Sequence, residues 1–125
     1  MAINSDPHIH QLVICANVLI KKDNKYLVIK RSPLKKYAPG IINPVGGKVD
    51  QNENHYQAIV REAMEETGLT IHNITLKAVI MEIKPVSDEP YNWLIYHFVA
   101  DYLSGELTGN DEGEFLWMSK EEIIN

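Results

Sequence analysis

Residues 47–69, GKVDQNENHYQAIVREAMEETGL, restrict the fold of this 125-residue chain more than any other stretch. Asn54, with Gln57 three residues on, has the spacing of a capping box, in which each side chain satisfies the other residue's backbone N–H. Gly68 sits where a left-handed glycine ends a helix, so a helix is predicted between the two signals. Tyr56, Ile59, Val60, Ala63 and Met64 recur at helical spacing and are expected to form its buried stripe.

Glu62 precedes Glu65 by three residues and Glu66 by four, which puts three carboxylates on neighbouring turns. Like charges at that spacing cost an isolated helix roughly 0.2–0.5 kcal/mol per pair, and Arg61 is the cation at hand to offset them. A hard divalent cation with oxygen ligands turns this repulsion into coordination. The competing reading is a solvated acidic face.

Gly47, five residues, Glu53, seven residues and then Arg61-Glu62-Ala63-Met64-Glu65-Glu66-Thr67-Gly68-Leu69 resembles, with no position missing, the signature of the Nudix hydrolase superfamily. The flanking strands resemble the family as well. The resemblance implies an α+β fold, an α/β/α sandwich with a mixed central sheet, as a single domain over residues 1–125. It implies Mg²⁺-dependent hydrolysis, with Mn²⁺ as the alternative ion, of a nucleoside diphosphate linked to another group. The first choice is a MutT-like reaction, in which an ordinary or oxidised nucleoside triphosphate gives the monophosphate and pyrophosphate. ADP-ribose or a nucleotide sugar is the alternative substrate, and a non-catalytic nucleotide-binding or regulatory module is the alternative from another class.

The same resemblance implies roles for individual residues. Glu65 and Glu66 are metal ligands, Glu62 is a ligand or the general base, and the carbonyl of Gly46 completes the metal shell. Glu53 pairs with Arg61 and holds the loop against the helix, while Gly47 and Gly68 are structural. An acidic residue in the loop over residues 109–114 reaches the metals from the far side. Glu112 is chosen for this, with Asp111 and Glu114 as rivals and a solvated turn as the bland reading. Asn43, within Asn-Pro-Val-Gly-Gly-Lys, contacts the base or else caps a turn. Val45 stands where the commoner form of the family has proline. Pro85, 16 residues past Leu69, is a weak pointer to ADP-ribose hydrolases.

An arginine at a strand end can hold phosphate oxygens bidentately, which makes Arg31, with Lys48, a candidate for substrate phosphates. At net charge −5, with no basic cluster beyond Lys35-Lys36, duplex nucleic acid is an unfavourable partner and a small nucleotide is the expected one. Cys15 is the single cysteine, so no internal disulfide or multi-cysteine zinc site forms, and it reads as a buried thiol. The N-terminus lacks a signal-peptide pattern and no apolar run approaches a ~18-residue span. A cytoplasmic protein with no membrane partner is expected; a homodimer is left open.

Residues 12–20 and 26–30 read as a strand hairpin with a polar turn. Residues 32–40 are a loop that covers the substrate, and 41–49 lead into the helix through Gly46 and Gly47. Residues 74–83 and 93–102 read as strands, the second interior because it is apolar on both faces. His97 within it reads as a packed histidine, and His8 and His10 as solvent-exposed. Residues 84–92 are a loop, 115–118 a short strand, and Ser119 with Glu122 opens a last helix at Lys120 that the end of the sequence cuts short.

Overall fold

A computed structural model of the chain describes residues 11–31, 41–109 and 113–124. β1 (Leu12–Lys22) and β2 (Lys25–Arg31) are joined by Asp23 and Asn24, both at positive φ (52° and 64°). Two such residues make the hairpin turn whose twist matches that of the strands it joins. The turn is therefore tighter than the five-residue polar stretch suggested, and both strands run to its edge. The adjacent glycines are part of a strand: after β3 (Ile42–Asn43), β4 (Val45–Lys48) pairs antiparallel with Cys15–Val18 of β1.

Then follow α1 (His55–Thr67), β5 (Leu69–Glu82), β6 (Asn92–Gly105), β7 (Gly113–Ser119) and α2 (Lys120–Ile124). The strands form one sheet in the order β3-β2-β1-β6-β5, with β4 also on β1 and β7 on β2. β1 and β6 run parallel from Leu12↔Asn92 to Lys21↔Asp101, and the other pairs are antiparallel, so the sheet is mixed as expected. β6 is interior, and β5 lies at the edge.

One face of the sheet carries Ala16, Val18, Ile20, Phe98 and Ala100, all buried against α1. The helix presents Ala58, Ile59, Ala63 and Thr67 to them, and here the expected stripe needs correcting. Ile59 and Ala63 are buried, but Tyr56, Val60 and Met64 are 49, 38 and 49% exposed. Two small alanines let the helix lie close along their own side, and the apolar flank beside them is left uncovered. On the opposite face, α2 brings Ile123 near Leu19, Val28 and His97.

Both ends of α1 match their signals. Asn54 accepts from Gln57 N–H (2.8 Å) while Gln57 Oε1 accepts from Asn54 N–H (3.0 Å). Gly68 adopts φ 80°, and a Cβ there would lie 2.7 Å from the Glu106 carbonyl, so both the backbone conformation and the space require glycine. Thr67, fully buried, donates its hydroxyl to the Ala63 carbonyl and accepts from Leu69 N–H at 3.0 Å, and Leu69 enters the core. The last three residues of the motif thus lock the helix to β5. That strand begins at Leu69, five residues before the predicted start, because Asn73 (φ 50°) and the irregular pairing around it hide the alternation. No helix among the described residues is long and apolar enough to cross a membrane.

Candidate active site

Arg61 organises the acidic side of α1. Its Nη2 donates to Glu53 Oε1 (2.6 Å) and its Nε to Glu53 Oε2 (3.0 Å). Nη1 donates to both Glu62 Oε1 and Glu65 Oε2 at 3.0 Å, and Nη2 also reaches the Lys48 carbonyl at 3.1 Å. A planar guanidinium is suited to this because its donors point in several fixed directions at once. Glu53 also accepts from Asp50 N–H at 2.8 Å, so one carboxylate ties the loop before the helix to the helix itself.

The electrostatics follow from these contacts. Arg61 and then the Asp50 N–H hold Glu53 below the usual carboxylate range. Glu62 moves the other way: burial pushes it up, and Arg61 opposes the shift without cancelling it. Gly47 makes the room, since a Cβ there would stand 2.6 Å from Glu62 Oε1.

A carboxyl raised in the folded state binds its proton more readily there than when unfolded, so its charge costs stability at neutral pH, and the cost fades as pH falls through the raised value and is gone below 4.5. Glu62→Gln, which keeps an oxygen for Arg61, is therefore expected to raise the Tm of the metal-free protein at pH 7 by about 2–4 °C. Thermal melts across pH check this; an unchanged or lowered Tm at pH 7 contradicts it.

Glu66 receives a long bond from Gly46 N–H, 3.4 Å. It lines a cavity of about 520 Å³ together with Gly46, Lys48, Arg31, Asn43 and Asn17. Six of the site residues singled out in the sequence, Arg31, Asn43, Gly46, Gly47, Lys48 and Glu66, are thus gathered on one cavity from β2, β3, β4 and α1. Glu62, Glu65, Glu53 and Arg61 form the ion-pair cluster behind it. Glu114 stands on β7 opposite Lys30, away from the cavity wall, and Asp111 and Glu112 lie outside the described residues.

Asn17 was missed. It projects from β1 beside Gly46 and borders both this cavity and an adjoining one of about 340 Å³ that reaches His97 and Lys77. A lone amide inside the apolar run Val13–Ile20 would have been the signal. Cys15 is buried as expected, and burial pushes its thiol up.

The donor chemistry suits a hard divalent cation: Asp50, Glu53, Glu62 and Glu65 surround a single guanidinium, Glu66 adds a carboxylate on the cavity, and burial disfavours the charge on Glu62. In this arrangement Glu62 and Glu65 turn to Arg61. Among the described residues no three acidic, histidine or cysteine side chains converge on one point.

The profile of the NUDIX domain matches residues 10–125. The chain belongs to the Nudix family. It is 32% identical over 111 residues to the uncharacterized Nudix hydrolase YvcI of Bacillus subtilis, covering 87% of this chain and 67% of that one. An ADP-ribose pyrophosphatase of Methanocaldococcus jannaschii is 34% identical over 103 residues, 81% of this chain and 57% of its own length. An 8-oxo-dGTP diphosphatase of Proteus vulgaris is 38% identical over 66 residues, 53% of this chain and 58% of its own. The chain thus spans two thirds of the first relative and less than two thirds of the others. The crystal structure of a MutT protein from Bacillus halodurans shares the fold at a TM-score of 0.77, with 24% identity over 90% of this chain and 71% of that one.

Proposed function

We propose that the protein hydrolyses a nucleoside triphosphate, ordinary or oxidised, to the monophosphate and pyrophosphate. One observation carries the reading: a single cavity holds Glu66 and Gly46 of the motif, the cations Arg31 and Lys48, and the amides of Asn17 and Asn43. Cations at one part of a cavity suit a polyphosphate, and amides, which both donate and accept, suit a base edge. The relationship to an 8-oxo-dGTP diphosphatase supports the same choice.

Glu62, Glu65 and Glu66, with the Gly46 carbonyl, are assigned to hold Mg²⁺, or Mn²⁺ in its place, and Glu112 to approach from the loop before β7. Bound there, the ion neutralises phosphate charge and lowers the pKa of water. Water adds to one phosphorus, the bridging P–O bond breaks, and pyrophosphate leaves with the bond's electron pair. A motif carboxylate takes the proton from that water, with Glu62 the choice if it is not itself a ligand of the ion. Arg31 and Lys48 offset charge that develops on the phosphates. Arg61 and Glu53 position the carboxylates and touch no substrate. The net charge of −5, with no basic cluster beyond Lys35-Lys36, favours a free nucleotide over duplex nucleic acid.

ADP-ribose is the second reading. It is favoured by the adjoining cavity, which shares Asn17, Asn43 and Pro44 with the first and offers room for a second moiety. The archaeal ADP-ribose pyrophosphatase relative and Pro85 point the same way. Product analysis over a panel of ordinary and oxidised triphosphates, ADP-ribose and nucleotide sugars decides between them. Pyrophosphate with a monophosphate from one triphosphate is the expected result. AMP with ribose phosphate from ADP-ribose alone selects the second reading, and silence across the panel from folded, Mg²⁺-supplied protein selects a non-catalytic nucleotide-binding module.

A further inference from the structure

The edge strand β5 carries an apolar surface left open by the described residues. Leu76, Val79, Ile80 and Met81 are 43 to 49% exposed and Ile83 is 70% exposed. Val79 stands opposite Tyr96 in the ladder, and Tyr96 stacks at 4.2 Å on His55, the first residue of α1. The glutamates of α1 face β4, on the other side of β1 from β6. The exposed flank of the helix, Tyr56, Val60 and Met64, therefore rises beside the same face of β5 and extends its apolar surface.

The edge itself is defended along only part of its length. Register shifts fall at Thr70/Ile71, His72/Thr75 and Leu76/Ala78, and irregular pairing of this kind discourages a further strand from adding. From Ala78 to Glu82 the ladder is regular and without proline, and among the described residues its outer side has no strand. Apolar exposure is concentrated where the backbone is open.

We propose that a second copy of this chain docks on this edge, β5 to β5 antiparallel, about a two-fold axis near Val79 and Ile80. Three features select a second copy. Pairing about a two-fold gives the open N–H and C=O groups of both edges a partner at once, and brings the two α1 flanks together across the axis. Lys77 and Glu82 bracket the open segment, so an antiparallel mate sets each lysine alongside the other copy's Glu82, twice. Seven of these apolar side chains, all but Ile80, which points to the opposite face from Val79 and Met81, together offer roughly 700 Å² at about half exposure, close to the ~800 Å² that each partner of a stable specific complex buries.

Sedimentation velocity of the full chain from 1 to 100 µM tests this. The expected species has twice the 14.2 kDa chain mass. Val79→Lys with Met81→Lys, at exposed positions, is expected to weaken association by about a hundredfold or more, since each dimer would bury four unpaired ammonium groups, while the circular dichroism spectrum stays unchanged. Leu107→Lys, an exposed apolar site just past the end of β6, beside the start of β5 and away from Ala78–Glu82, leaves the dimer intact. Monomers at 100 µM overturn the proposal and leave the edge to an extended strand of another protein. A dimer that survives the double lysine variant, or that Leu107→Lys dissociates, overturns it as well.

Discussion

Glu66→Gln is expected to lower kcat by about a thousandfold, within the range lost when a positioned acid–base group is removed. Its carboxylate is the acidic group of the motif that lines the cavity with Arg31 and Lys48, and the amide keeps the shape while deleting the charge. The bond from Gly46 N–H, long at 3.4 Å, can still be received by the amide oxygen. The loss should therefore appear in turnover and not in folding. Steady-state kinetics with a thermal melt on the same sample separate the two. Glu65→Gln should lower turnover as well, because it removes a second hard oxygen donor from the set assigned to the ion. Its carboxylate is 60% exposed and free to swing from Arg61 toward the cavity. Unchanged kcat in Glu66→Gln would mean that the reaction is not run at this cavity.

Arg61→Ala should cost both stability and turnover. It removes the partner of Glu53, Glu62 and Glu65 together and the donor to the Lys48 carbonyl, leaving two of those carboxylates 14% exposed without their cation. Hydrogen bonds to charged groups are worth roughly 1.5–3 kcal/mol when lost. For a domain of this size that corresponds to a fall in Tm of about 10 °C at pH 7. The pH dependence has a definite sign. Glu53 is held below its usual value in the folded state, so the stability it contributes is complete above pH 4.5 and is lost as pH falls through the lowered value. The gap between wild type and Arg61→Ala should therefore be widest near neutrality and close at lower pH. A gap that does not change with pH would show that Arg61 acts through packing and not through its carboxylates. Arg61→Lys should retain little of the stability or the turnover, because a single ammonium cannot reach Glu53, Glu62, Glu65 and a carbonyl together.

The helix and its two ends were legible in the sequence because each depends on local chemistry: an amide three residues from a glutamine, a glycine at a left-handed position, a β-branched run on either side of Asp23-Asn24. What could not be read was which apolar side of α1 would be covered. Tyr56, Val60 and Met64 have the same spacing as Ile59 and Ala63, and only the approach of the sheet distinguishes them. β4 was hidden for a related reason, since Gly46 and Gly47 have no strand preference of their own and are held extended by pairing with β1. The candidate site was half legible. Motif spacing gathered the glutamates and arginine, but it could not say that Glu66 alone of the helix carboxylates lines the cavity while Glu62 is turned to Arg61. Asn17 was passed over because a single polar residue in a strand has meaning only once Gly46 and Asn43 are known to lie beside it.

The proposed reaction at this cavity is metal-dependent cleavage of a phosphoric anhydride. Pyrophosphate release from the panel's best nucleotide, followed across a Mg²⁺ titration and again with excess chelator, for wild type and Glu66→Gln side by side, tests it most directly. The expected result is saturable Mg²⁺ dependence in the wild type, no release with chelator, and a turnover in Glu66→Gln lower by about a thousandfold at saturating Mg²⁺. Turnover that persists in chelator, or that is equal in the two proteins, would contradict it.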